Sequence, residues 1–175
     1  MHESLRQVVH LIFGLGIAGF VHLFDRDIVL SVLVLTLFVG FILSDALSQG
    51  YIIPVISSII AGLERRDAAP GKGALFCVAF FAKEVAFVGL VALSLLDSVT
   101  TLAGVRFGKT RIYNHKSLEG TLAGFAATAI VLGLLVPPGV ALATAAAAAV
   151  AELASPVDDN LVVPVAACIA LTILL

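Results

Sequence analysis

Charge is scarce in this sequence. Only 13% of its 175 residues are Asp, Glu, Lys or Arg, whereas a soluble domain carries roughly a quarter. So thin a charged cover cannot keep a surface in water, so lipid must cover it instead. A positive excess is also lacking. Ten Lys and Arg against twelve Asp and Glu leave a formal net charge of −2, so no general basic field points to nucleic acid. Cysteine is nearly absent: Cys77 and Cys168 both lie in apolar runs and read as small buried hydrophobes. The N-terminus has Arg6 before an apolar run but no small-residue cleavage pattern, so it reads as a first span and not as a secretion signal.

What is present is apolar. Hydrophobic residues make up 61% of the chain, and the mean hydropathy is +1.15. Apolar runs lie at 8–24, 28–48, 74–96, 118–136, 139–154 and 161–175. A span needs about 20 such residues. The first two runs meet this as a hairpin turning at Asp25-Arg26-Asp27, while the last three are short and imply local thinning or partial spans. A shorter run at 51–63, carrying Pro54, reads as an interfacial helix leading into the loop Glu64–Gly73. The expected fold is one all-α domain over 1–175, a polytopic integral membrane helical bundle of six to seven spans plus that interfacial helix.

The run 74–96 poses a topological question. A single crossing would bury Lys83 and Glu84 near mid-membrane, at a cost of at least a few kcal/mol for each charge. It would also put the basic loops 62–73 and 104–116 on opposite sides, against the cytoplasmic preference of positive loops. A turn at Lys83-Glu84 removes both conflicts. It gathers nearly every ionisable loop residue except 25–27 and 83–84 on one face, the cytoplasmic one. A one-sided active site would produce that polarity.

The chemistry-bearing residues fall in three groups. Asp97, Thr101, Gly104 and Gly108 share one helical stripe, where glycines admit either a ligand or a neighbouring helix. The segment RFGKTRIYNHK carries Arg106, Lys109, Arg111 and Lys116 with no acid, which suits phosphate oxygens or lipid headgroups. Ser117 then suits an N-cap, with Glu119 and Gly120 in the first turn and Gly124 extending a close-packing face. Glu152 ends an alanine-rich helix, where the helix dipole disfavours a carboxylate and calls for a lysine or a metal. Asp158, Asp159 and Asn160 offer hard oxygen ligands for Mg²⁺. Cations for phosphate and carboxylates for metal together match what a nucleoside triphosphate with Mg²⁺ requires.

The order of these residues resembles the CTP-dependent lipid kinases, the family of dolichol kinase, phytol kinase and the CTP-using diacylglycerol kinases. That family is related to the cytidylyltransferases that make CDP-activated lipids. The resemblance rests on Asp97, Thr101, Gly104, Gly108-Lys109, then Lys116-Ser117, Glu119-Gly120, then Glu152, Asp158-Asp159-Asn160 and Pro164. Upstream, Arg6 with His10, and Glu64-Arg65-Arg66 with Pro70, Lys72 and Gly73, are similar to the family's motifs as well. The resemblance implies transfer of the CTP γ-phosphate to a membrane lipid alcohol. Arg65, Lys72, Arg106, Lys109, Arg111 and Lys116 would hold phosphates. Asp97, Glu119, Asp158 and Asp159 would provide the proton acceptor and, with Glu152, the Mg²⁺ ligands. Two other functions compete: a cytidylyltransferase, which would release pyrophosphate, and a small transporter with Lys83, Glu84 and Asp97 as an intramembrane relay.

Overall fold

The computed structural model describes residues 3–48, 71–113, 116–155 and 158–175. The interfacial helix expected at 51–63, with Glu64 and Arg65, lies outside these residues. Among the described residues the chain is all-helical. Its helices are α1 (Glu3–Leu23), α2 (Arg26–Ser48), α3 (Lys72–Phe80), α4 (Lys83–Phe107), α5 (Leu118–Leu132), α6 (Pro138–Ala154) and α7 (Asp159–Leu174). The only extended pairing among those residues is an isolated bridge between Arg111 and Ser117.

Among the described residues three helical stretches are long and apolar enough to cross a membrane: Ser4–Leu23, Arg26–Leu43 and Lys83–Phe107. Helices α5, α6 and α7 are apolar but only 15, 17 and 16 residues long, or about 22–26 Å against a hydrocarbon core of about 30 Å. The first two helices turn most of their apolar surface outward, with Ile12, Phe13, Leu35, Phe38 and Phe41 all exposed.

Helix α4 is the axis of the bundle. It packs chiefly against α5 and α1, then against α7, and buries Ala86, Leu90, Ala92 and Leu96. Small residues mark the crossings. A methyl group on Gly124 would lie 2.1 Å from Thr100 Oγ1, and one on Gly89 would lie 2.4 Å from Cys168 Sγ. Both distances are far inside contact, so the helices approach as closely as their backbones allow.

The run 74–96 is broken, as the charge argument required, but slightly earlier than expected. Phe81 and Ala82 are extended (φ −116°, ψ 163° and φ −60°, ψ 148°), and Lys83 and Glu84 open α4 instead of forming the turn. The reason is visible at both helix ends. Arg26, at the α1–α2 turn, donates to the Val78 carbonyl at 2.9 Å and to that of Ala79, two acceptors at the end of α3. Glu84 sits in the first turn of α4, where the dipole favours an acid.

This break fixes the two ends of the bundle. At one end are the α1–α2 turn, the α3–α4 break and the His22–Phe87 ring contact (4.8 Å between centroids). At the other end the start of α3 meets the start of α7: a methyl on Gly73 would lie 1.9 Å from the Asn160 carbonyl oxygen. Gly71 makes that approach with a left-handed φ of +94°, which favours glycine.

Candidate functional site

The second end carries the polar residues. Helix α4 ends at Phe107, and the chain then folds back on itself before α5. Leu118 N donates to the Thr110 carbonyl (2.9 Å), and Ile112 N to that of Lys116 (2.9 Å). Ser117 caps α5 as its sequence suggested, accepting from Gly120 N at 3.2 Å. Glu119 reaches the loop as well: its carboxylate accepts from Lys109 N (3.1 Å) and Thr110 N (3.1 and 3.2 Å). Expected as a catalytic carboxylate, Glu119 is placed here as the organiser of the basic loop.

That loop delivers Lys116 inward. Its ammonium lies 3.3 Å from Glu152 Oε1 and 2.9 Å from Asp159 Oδ2, and it donates to the Glu152 backbone carbonyl at 2.6 Å. The lysine therefore satisfies both the carboxylate and one of the orphan carbonyls at the end of α6. Glu152 is 1% exposed, and Thr100 donates to its Oε2 at 3.2 Å. Of the two partners the sequence allowed for Glu152, a lysine or a metal, the structure supplies the lysine.

Asp97 stands one turn before Thr100 on α4. His10 of α1 approaches it, with Nε2 3.3 Å from Asp97 Oδ2, and the adjacent Ser98 donates to the Gln7 carbonyl at 3.4 Å. Asp97 and Asp159 both lie within electrostatic reach of Glu152. Asp158 caps α7, accepting from Asn160 N at 3.2 Å. The site thus draws on α1, α4, the loop before α5, α6 and α7.

Other expected residues sit around this cluster. Arg106 and Lys109 are exposed at the loop mouth, and Arg111 is exposed on the bridge with Ser117. Lys72 is exposed at the start of α3, beside the Asn160 turn. Gly104, Gly108 and Gly120 have packing roles at the α4–α5 crossing. A methyl on Gly120 would lie 2.5 Å from the Thr100 carbonyl oxygen, and one on Gly108 would lie 2.7 Å from Ser117 Oγ. Thr101 was the expected hydroxyl of the stripe, yet the one that reaches Glu152 belongs to Thr100. No signal in the sequence separated the two: Thr100 lies on the face of α4 that meets the glycines of α5, which the rotation of the helix sets.

No three His, Cys, Asp or Glu side chains among the described residues form a group able to hold a metal unaided. The Lys116 ammonium lies between Glu152 and Asp159, where a cation could otherwise bind. Asp158 offers its second carboxylate oxygen beside the start of α7, so it fits an Mg²⁺ only in company with phosphate oxygens, the usual arrangement for this ion. The transporter relay finds no support in the geometry. Lys83 and Asp97 are separated by about 21 Å along α4, with Asp97 paired to His10 instead.

No family model matches the chain, and no solved structure matches it. It is similar to the protein called "Uncharacterized protein MJ1137" of Methanocaldococcus jannaschii, at 32% identity over 141 residues that cover 75% of this chain and 72% of the relative. By that extent and identity, the chain belongs to the same family as MJ1137.

Proposed function

We propose that this protein is a membrane-embedded phosphotransferase of the CTP-dependent lipid kinase type, moving the γ-phosphate of CTP to a lipid alcohol and releasing CDP. The observation that carries this reading is the Lys116 contact set. An ammonium bridges Glu152 and Asp159 at one end of an apolar bundle, beside the His10–Asp97 pair and beneath a loop bearing Arg106, Lys109 and Arg111. Phosphoryl transfer needs positioning and charge neutralisation above all. That collection of cations and carboxylates suits it.

In this reading α1, α2 and α4 through α7 cross the bilayer and α3 is a half-span, with the membrane thinned around the three short helices. The positive loops put the polar end on the cytoplasmic side. The lipid hydroxyl attacks the γ-phosphorus, the bond from that phosphorus to the bridging oxygen breaks, and CDP leaves. The hydroxyl proton passes to Asp97, which His10 holds in place. Arg106, Lys109 and Arg111 grip the triphosphate from the loop, and Lys72 approaches from α3. Asp158 would hold an Mg²⁺, which would supply neutralisation of the phosphate charge. Glu152 acts at one remove: it holds Lys116 and, through Thr100, ties the loop to α4.

The test is a transfer assay with purified protein, CTP or ATP, and a panel of prenols and diacylglycerol. Labelled lipid phosphate with CDP is the expected result. Pyrophosphate in place of CDP would instead identify a cytidylyltransferase, and no nucleotide-dependent product with any acceptor would defeat the proposal.

A further inference from the structure

Besides the polar cluster, the molecule has an apolar groove of about 480 Å³ between α2, α3 and α7. Leu30, Val34 and Leu37 of α2 form one wall, Leu75 and Phe76 of α3 the other, and Leu161 of α7 lies at the top. Among the described residues Lys72 is the one charged residue in the lining, and it stands at the polar end. The groove follows α3 for its nine residues, about 13 Å. Its upper rim is continuous with the site. The Gly73 backbone packs directly on the Asn160 carbonyl, and Asn160 follows Asp159, which is paired to Lys116.

We infer that this groove holds the hydrocarbon chain of a single-chain lipid alcohol and delivers its hydroxyl to the Asp158–Asn160 turn beside Lys72. The inference rests on the kinase reading for the fate of the hydroxyl but not for the seat of the chain. Two features select the occupant. The walls are aliphatic and aromatic along their length, which suits hydrocarbon and leaves no polar group to desolvate. The Lys72 cation is at the mouth, where it complements the phosphate monoester that transfer creates and is idle toward a neutral tail. A lipid that merely filled the groove would give that placement no use. Burial in the groove would also hold the reacting oxygen at one depth, beside the carboxylates.

The experiment is photolabelling of the full chain in nanodiscs with a long-chain prenol bearing a diazirine part-way along its tail, without nucleotide. Label is expected on peptides containing Leu75–Phe76 and Leu30–Val34, displaced by unlabelled prenol and poorly displaced by diacylglycerol or phospholipid. Val34→Trp should reduce labelling and raise KM for the prenol about tenfold by removing about two methylenes' worth of contact, with kcat unchanged. If Val34→Trp fails to run as a monodisperse species, Phe76→Ala decides: this exposed wall residue should likewise lose label and raise KM for the prenol with kcat unchanged. Label without any phosphate transfer would uphold the groove and defeat the kinase reading. Transfer with no label in the groove and an unchanged KM in Val34→Trp would overturn the groove and leave the kinase standing. Equal displacement by phospholipid would reduce the groove to ordinary lipid contact and overturn the inference.

Discussion

Lys116 and Glu152 meet twice. The ammonium is 3.3 Å from the carboxylate and 2.6 Å from the backbone carbonyl of the same residue. Glu152 is almost fully buried, and Lys116 and Thr100 satisfy its carboxyl oxygens. A loop lysine is therefore also a structural one.

Lys116→Ala should accordingly destabilise the protein by about 3 kcal/mol, since it strands a buried carboxylate. Pairing it with Glu152→Gln should restore much of the loss. Thermal unfolding of the two single variants and the double variant in detergent measures the coupling. Additive losses would mean that the two side chains do not hold each other.

Lys109→Ala behaves differently. Its side chain is exposed, while its backbone N–H carries the bond to Glu119 and survives the substitution. Unfolding should be unchanged and phosphate transfer should fall about a hundredfold, the usual effect of losing one charge-stabilising donor. Near-normal turnover would remove Lys109 from the phosphate site.

The carboxylates can be separated by asparagine. Asp158→Asn keeps the cap of α7, because the amide oxygen still accepts from Asn160 N. Folding should persist while Mg²⁺-dependent transfer falls by about two orders of magnitude or more. Asp97→Asn should lose activity as severely at every Mg²⁺ concentration. Rescue of Asp97→Asn by raising Mg²⁺ would make it a metal ligand instead of the proton acceptor.

At the α4–α5 crossing, Gly120→Ala forces a methyl to within 2.5 Å of the Thr100 carbonyl oxygen, which cannot swing aside. A loss of about 1–3 kcal/mol is expected from overpacking. It should lower activity too, because Thr100 is bonded to Glu152. An unaltered melting temperature would show that the helices separate more easily than their packing implies.

Sidedness can be read by labelling single cysteines. Lys72→Cys, Thr110→Cys and Asp158→Cys should react from one side of the membrane, and Asp25→Cys and Pro137→Cys from the other. The native Cys77 and Cys168 are buried and give little background. Labelling of positions 72 and 110 from opposite sides would rule out the arrangement in which both basic segments face the cytoplasm.

The sequence by itself determined the helical class, the break in 74–96 and the cap at Ser117, whereas the cap at Asp158 emerged only in the structure. The first three are local matters: apolar runs have one cheap backbone in a dry environment, buried charges force a break, and a serine ahead of a helix accepts its first amides. Even the need of Glu152 for a partner was legible, because a carboxylate at a helix end is wrong for the dipole. Partner choice was not. That Lys116, and not Lys109, turns inward depends on how far Glu119 pulls the loop over α5. That Thr100 takes the place expected of Thr101 depends on the rotation of α4 against Gly120 and Gly124. His10 finds Asp97 across the α1–α4 contact, and Arg26 finds the end of α3 through a fold of the chain. Each of these is a distance between elements far apart in sequence, set by which helix faces pack together. Periodicity gives the faces of one helix but not the rotation of its neighbour, so only the tertiary structure could decide them.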